Sequence, residues 1–189
     1  SRRQRQMCIR DRFYIVQLSN ARKNFKNRGS SMEIFHIVII GIVSCLAMDM
    51  WQRLLKLLYD INPSDWGVVG RWFLLVMSRG KIYNPTIDEE DPIKNELIIG
   101  WMVHYSVAIM YSVFFFILLE YEICSASLMN GIIFGLISVI VPWFFFMPAL
   151  GKGLLGTKTP SPLMACSLAV GSHIAIGAPI GGFYQIFGY

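Results

Sequence analysis

The chain has 189 residues, of which 54% are hydrophobic and only 15% charged, with a formal net charge of +5. Ordinary soluble domains carry about 25% charged residues, so a soluble fold with polar-faced helices is excluded, and the length suits one domain. The basicity does not mark a nucleic-acid binder, because residues 1–31 hold nine Lys or Arg against one acid, whereas eight basic residues meet eleven acidic ones from Met32 onward.

The opening segment, SRRQRQMCIRDR, resembles translated sequencing-adaptor readthrough, and residues 13–31 show no sustained helical period. Residues 1–31 are therefore expected to be a non-native or disordered basic head, followed by a single membrane domain over residues 32–189. A signal peptide is the rival reading, since Ile42-Val43-Ser44-Cys45 resembles a lipoprotein cleavage box. The apolar character continues through Leu46–Leu58 without a small-residue exit, so cleavage is not expected.

Four stretches, 34–58, 97–119, 128–150 and 164–187, are almost free of charge. Each reaches the roughly 20 residues that cross a hydrocarbon core about 30 Å thick. The first ends in a polar seam of Asp49, Trp51, Gln52, Arg53 and Lys56, and Asn62-Pro63-Ser64-Asp65 breaks the helix. Trp66 to Met77 is apolar but too short to span, and its tryptophans and Arg71 suit an interfacial or re-entrant helix. The polar loop Ser78–Lys94 contains Asp88-Glu89-Glu90-Asp91, which lacks the Asx spacing and turn glycine of a calcium loop and reads as a solvated run.

The second span carries His104. The third carries Gly131-x-x-x-Gly135 with Pro142 and Pro148, and the fourth carries Gly177-x-x-x-Gly181 with Pro179. Small residues four apart let helix backbones touch, which is a main packing device in lipid. Between the last two spans, Gly151–Thr159 looks superficially like a phosphate loop but lacks its Gly-Lys-Ser/Thr ending and the preceding strand. The fold class expected is all-α: an integral membrane four-helix bundle with one short interfacial or re-entrant helix between spans 1 and 2.

Arg53, Lys56, Arg71, Arg79, Lys81, Lys94, Lys152 and Lys158 all fall on one side of such a bundle. The positive-inside rule then sets the longer loops in the cytoplasm and both termini outside, in a bacterial inner membrane. The partners expected are the lipid bilayer and a second copy or other membrane proteins, with no nucleic acid. Cys45, Cys124 and Cys166 are far apart and form no CxxC pair, so neither a zinc site nor a disulfide framework is indicated.

The ordered motifs resemble a known family. They are Met48-Asp49-Met50-Trp51, Gly70-Arg71-Trp72, Gly100-Trp101 with His104-Tyr105, Pro148-x-x-Gly151-x-Gly153, Thr159-Pro160-x-Pro162, and His173 with Gly177. Together they are similar to the bacterial domain-of-unknown-function family 2938 of small multi-pass membrane proteins. The resemblance covers about Met32 to Tyr189 and implies a membrane location without an activity. One departure is Met164-Ala165-Cys166-Ser167, where a basic residue is expected in members; this weakens any anion-binding role for the adjoining loop.

Ionisable groups within a bilayer cost about 2.5–3.5 kcal/mol on insertion scales and mark function or specific pairing. Asp49 and His104 lie about 10 Å inside their spans and His173 about 14 Å, at 1.5 Å per residue. With Arg53 they form the candidate intramembrane polar cluster. Its functional reading is a proton relay or ligand site. Its structural reading pairs Asp49 with Arg53 one turn on, the histidines joining helices by hydrogen bonds. No catalytic motif, cofactor or metal spacing is identified. The first function expected is movement of a small solute or proton through this polar layer. The alternatives are an embedded enzyme acting on a lipid or quinone head group, and an accessory subunit without chemistry. A non-enzymatic role is favoured because four spans with few polar residues offer little catalytic equipment.

Overall fold

The computed structural model describes residues 31–189, so the head at residues 1–31 lies, but for Ser31, outside the described residues. The chain divides into two compact units, Ser1–His36 and Ile37–Tyr189; of the first, only the opening turns of a helix are described. The described residues form helices and turns without a strand. We label the helices α1 (Ser31–Tyr59), α2 (Trp66–Arg79), α3 (Glu96–Glu120), α4 (Leu128–Ala149) and α5 (Pro162–Ile186).

Helices α1, α3, α4 and α5 are each long and apolar enough to cross a membrane. At most 33% of the most apolar window of any of them is buried inside the chain. Large side chains such as Met102, Met110, Phe114, Ile137 and Phe144 point outward instead. That distribution suits lipid, which solvates apolar side chains that water would not.

Local chemistry explains the boundaries. Asp65 caps α2, its carboxylate accepting from the Gly67 and Val68 amides at 2.8 and 3.3 Å. Gly80 ends the same helix at φ 65°, and its amide donates to the Val76 carbonyl. Ser127 caps α4 through the Asn130 amide at 3.1 Å, and Pro162 opens α5, where a missing amide costs nothing.

Two helix pairs meet at backbone contact through glycines on both helices, and Gly41 of α1 also meets the Ile109 backbone of α3. A Cβ on Gly70 of α2 would fall on the Glu96 carbonyl oxygen of α3, and one on Gly100 would fall on the Trp66 carbonyl oxygen. In α4 and α5, a Cβ on Gly131 or Gly177 would strike the other's glycine backbone, one on Gly135 would strike the His173 carbonyl, and one on Gly181 the Ser127 carbonyl. Close approach of this kind is what small residues permit.

The third span departs from the uninterrupted helix expected over 128–150. Its α-helical part ends at Ser138, a π turn covers Pro142–Phe146, and α-helix resumes over Met147–Ala149. Pro142 has no amide to offer the Ser138 carbonyl, so the backbone widens and the Met147 amide reaches back to the Pro142 carbonyl.

Candidate functional site

The apolar core joins α1, α3 and α5 through Ile40, Met48, Ala108, Phe115, Ile180 and Tyr184. On the side of the α1–α2 and α4–α5 loops, this packing opens into a cavity of about 530 Å³. Asn62, Ser64, Asp65, Asp88, Lys152 and Thr159 form its polar mouth, and Tyr111, His173 and Ile176 line its depth. From Pro162 to Ile176 is about 21 Å of a helix about 37 Å long, at 1.5 Å per residue. Beyond that depth Phe115, Ile180 and Tyr184 are fully buried. The Tyr184 hydroxyl donates to the Ser112 carbonyl of α3 at 3.0 Å, which ties α5 to α3.

Asp49 and His104 come together across α1 and α3. His104 Nε2 stands 3.0 Å from Asp49 Oδ1, and the Tyr105 hydroxyl donates to Asp49 Oδ2 at 3.1 Å. Cys45, one turn before Asp49 on the same helix face, places Sγ 3.2 Å from the same His104 nitrogen. Cys45, Asp49 and His104 are all buried. The Trp66 ring stacks on the imidazole with centroids 3.7 Å apart, and Trp101 meets it edge-on at 5.6 Å. The α2–α3 glycine contact sets this stacking, because it brings the first turn of α2 onto α3.

His173 sits at a different point of the same cavity. Its Nδ1 lies 2.7 Å from Ser138 Oγ, and that hydroxyl donates to the Gly135 carbonyl at 2.7 Å. The single hydroxyl proton is thereby used, so His173 Nδ1–H is the donor, and in the neutral imidazole Nε2 keeps its lone pair. Tyr111 meets this imidazole edge-on at 5.7 Å.

Arg53 does not join the cluster. It is exposed, and among the described residues Asp49 is paired with His104 rather than with Arg53. The imidazole and the Tyr105 hydroxyl within reach give the carboxylate the partners that the helix-local pairing was expected to give. Gly131, Gly135, Gly177 and Gly181 lie in the α4–α5 contact.

Sequence reasoning missed Cys45, Tyr105, Ser138 and Trp66. The Cys45–Asp49 spacing of one helical turn was a usable signal, as was Tyr105 beside His104. Ser138 and Trp66 reach their histidines only through helix packing. It also missed the ion pair behind the mouth, where Arg71 Nε and Nη2 donate to Glu96 at 2.8 and 2.9 Å, and Nη1 donates to the Ile87 and Glu90 carbonyls.

No curated protein and no solved structure gives a match to the chain. A family model described as Protein of unknown function (DUF2938) matches residues 38–185, which contain the cavity, both histidines and both glycine contacts. The chain belongs to the DUF2938 family.

Proposed function

We propose that this membrane protein binds a small, largely apolar solute in its cavity, admitting it from the side of the α1–α2 and α4–α5 loops. The observation that carries the reading is the shape of the cavity: about 530 Å³, a polar mouth at one end, both histidines in its wall, and Phe115, Ile180 and Tyr184 packed beyond it. That volume lies within the range of about 300–1,000 Å³ usual for small-molecule sites, which are apolar with a few placed polar groups. His173 Nε2 is an acceptor there, and Trp66 offers a flat aromatic face.

A quinone head group fits this chemistry, being flat, apolar and able to take part in hydrogen bonds. The test uses a short-chain quinone added to the full chain in detergent, with quenching of tryptophan fluorescence as the readout. Saturable quenching is expected for the wild type, with at least a tenfold weaker apparent affinity in Ala169→Phe, which fills the cavity. Equal, non-saturating quenching in both proteins would overturn the reading.

A second reading, movement of the solute across the membrane, is favoured by one further observation. The cavity is bordered by two helix pairs whose glycines hold their backbones together, and the π turn at Pro142–Phe146 lies in its wall. Rigid pairs that rock about a fixed site would open it alternately to each face. Uptake of the solute into proteoliposomes would support this reading, and binding without uptake would support a site that acts on its solute in place.

A further inference from the structure

One nitrogen, His104 Nε2, faces both Asp49 Oδ1 at 3.0 Å and Cys45 Sγ at 3.2 Å. A single proton cannot serve this arrangement well. If Nε2 carries the proton it satisfies the carboxylate, and the thiol is left with a weak acceptor role. If Nε2 is bare it accepts from the thiol, but its lone pair then points at the carboxylate oxygen. A cation placed among the three donors satisfies all of them at once.

We propose that Cys45, Asp49 and His104 form a binding site for one divalent zinc-class metal ion. The three donor atoms lie within 4.8 Å of one another, and all three residues are buried. In a tetrahedral zinc site with ligand bonds of about 2.0–2.3 Å, ligand atoms stand about 3.3–3.6 Å apart. His104 Nε2 needs to part from Asp49 Oδ1 and from Cys45 Sγ by only a few tenths of an ångström, and the carboxylate and the thiol already stand within 4.8 Å of each other. Charge also closes: a thiolate and a carboxylate neutralise a dication, so no net charge is left in a region where one would be costly.

The surroundings hold the ligands in place. The Tyr105 hydroxyl fixes the carboxylate through Oδ2 at 3.1 Å, and Trp66 stacked at 3.7 Å fixes the imidazole plane. Three protein ligands leave a fourth position, as in zinc centres that bind water or substrate rather than in closed structural ones. His104 also lines the cavity, so the ion would sit at its wall. This proposal goes beyond solute binding and does not depend on it.

The full chain, stripped with a chelator in detergent, is titrated with Co²⁺ as a spectroscopic substitute for zinc. One cobalt per chain is expected, with tetrahedral visible absorption and a thiolate-to-cobalt charge-transfer band that added Zn²⁺ bleaches. Binding should release about one proton per ion at neutral pH, since a neutral thiol becomes a thiolate. Cys45→Ser should lose the charge-transfer band, Asp49→Asn should weaken binding by at least tenfold, and Cys124→Ser and Cys166→Ser should leave the band unchanged. Cys45→Ser changes one atom, and its melting temperature checks that it is folded. The proposal is overturned if the wild type develops no charge-transfer band, or if the band persists in Cys45→Ser.

Discussion

Arg71 directs its guanidinium at fixed acceptors in four bonds: two on Glu96 and one each on the Ile87 and Glu90 carbonyls. The hydrogen bond to Glu96 holds its pKa above the ordinary arginine value. Both side chains are largely buried, at 9% and 16% exposure, so removing one partner strands the other. Arg71→Met is therefore expected to cost about 3–5 kcal/mol, with part of the loss recovered in Arg71→Met/Glu96→Gln; detergent-titration unfolding measures both. The nearby Glu90 carboxyl is held below its ordinary value of 4.5 by hydrogen bonds from Asn84 and Lys81. Its contribution is fully present above that value and is lost as pH falls through the lower folded value. Hydrogen exchange in the segment Lys81–Glu90 should therefore stay slow at pH 6 and quicken only in acid below about 4.5. The sequence marked Arg71 as an interfacial charge but could not name its partner, because Glu96 lies on another helix. Cys45 was legible in principle, since it shares a helix face with Asp49, but the sequence offers it no nearby cysteine to mark it as a ligand.

At the scale of elements, the glycines decide which helices pair. Gly177 sits against the backbone of Gly131 and Gly135, so a branched side chain there cannot be absorbed by moving a flexible neighbour. Gly177→Val is expected to destabilise the bundle by about 1–3 kcal/mol or more, whereas Gly182→Ala, whose Cβ would meet only the Leu128 side chain at 3.6 Å, should be nearly neutral. Thermal melts of the two variants in the same detergent test this difference. Both Gly-x-x-x-Gly motifs were visible in the sequence, and what they face was not. The motif states that a backbone can come close, but the partner depends on how all the helices share their faces. The π turn was half visible: Pro142 marked a missing amide, and the choice between a kink and a widened turn depended on the neighbouring packing.

For the whole molecule, the Asn84 amide donates to the Ala149 carbonyl at 3.0 Å, which puts the α2–α3 loop and the end of α4 at the same end of the bundle. Among the described residues the lysines and arginines gather at that end, and by the positive-inside rule we propose that it faces the cytoplasm. Cys166, whose Sγ donates to the Leu155 carbonyl at 3.2 Å, belongs to that end, and Cys124 lies in the α3–α4 loop at the other. An impermeant maleimide applied to intact spheroplasts should label Cys124 and spare Cys166 until the membrane is permeabilised. Burial raises the Cys124 thiol pKa, so labelling should speed up as the pH is raised toward 9. The reverse pattern would invert the orientation.

The sequence by itself determined that the chain is helical, that four of its segments suit a membrane, and which motifs place it in its family. Those properties follow from runs of apolar residues and from ordered local motifs, which need no partner to be read. Tertiary structure alone decided that Asp49 turns to His104 instead of Arg53, that Cys45 completes a three-donor cluster, and that His173 rests on Ser138 at another point of one cavity. Each of these contacts joins residues on different helices, apart from the Cys45–Asp49 pair. Their distances are set by where glycines let backbones touch and where bulkier side chains hold them apart.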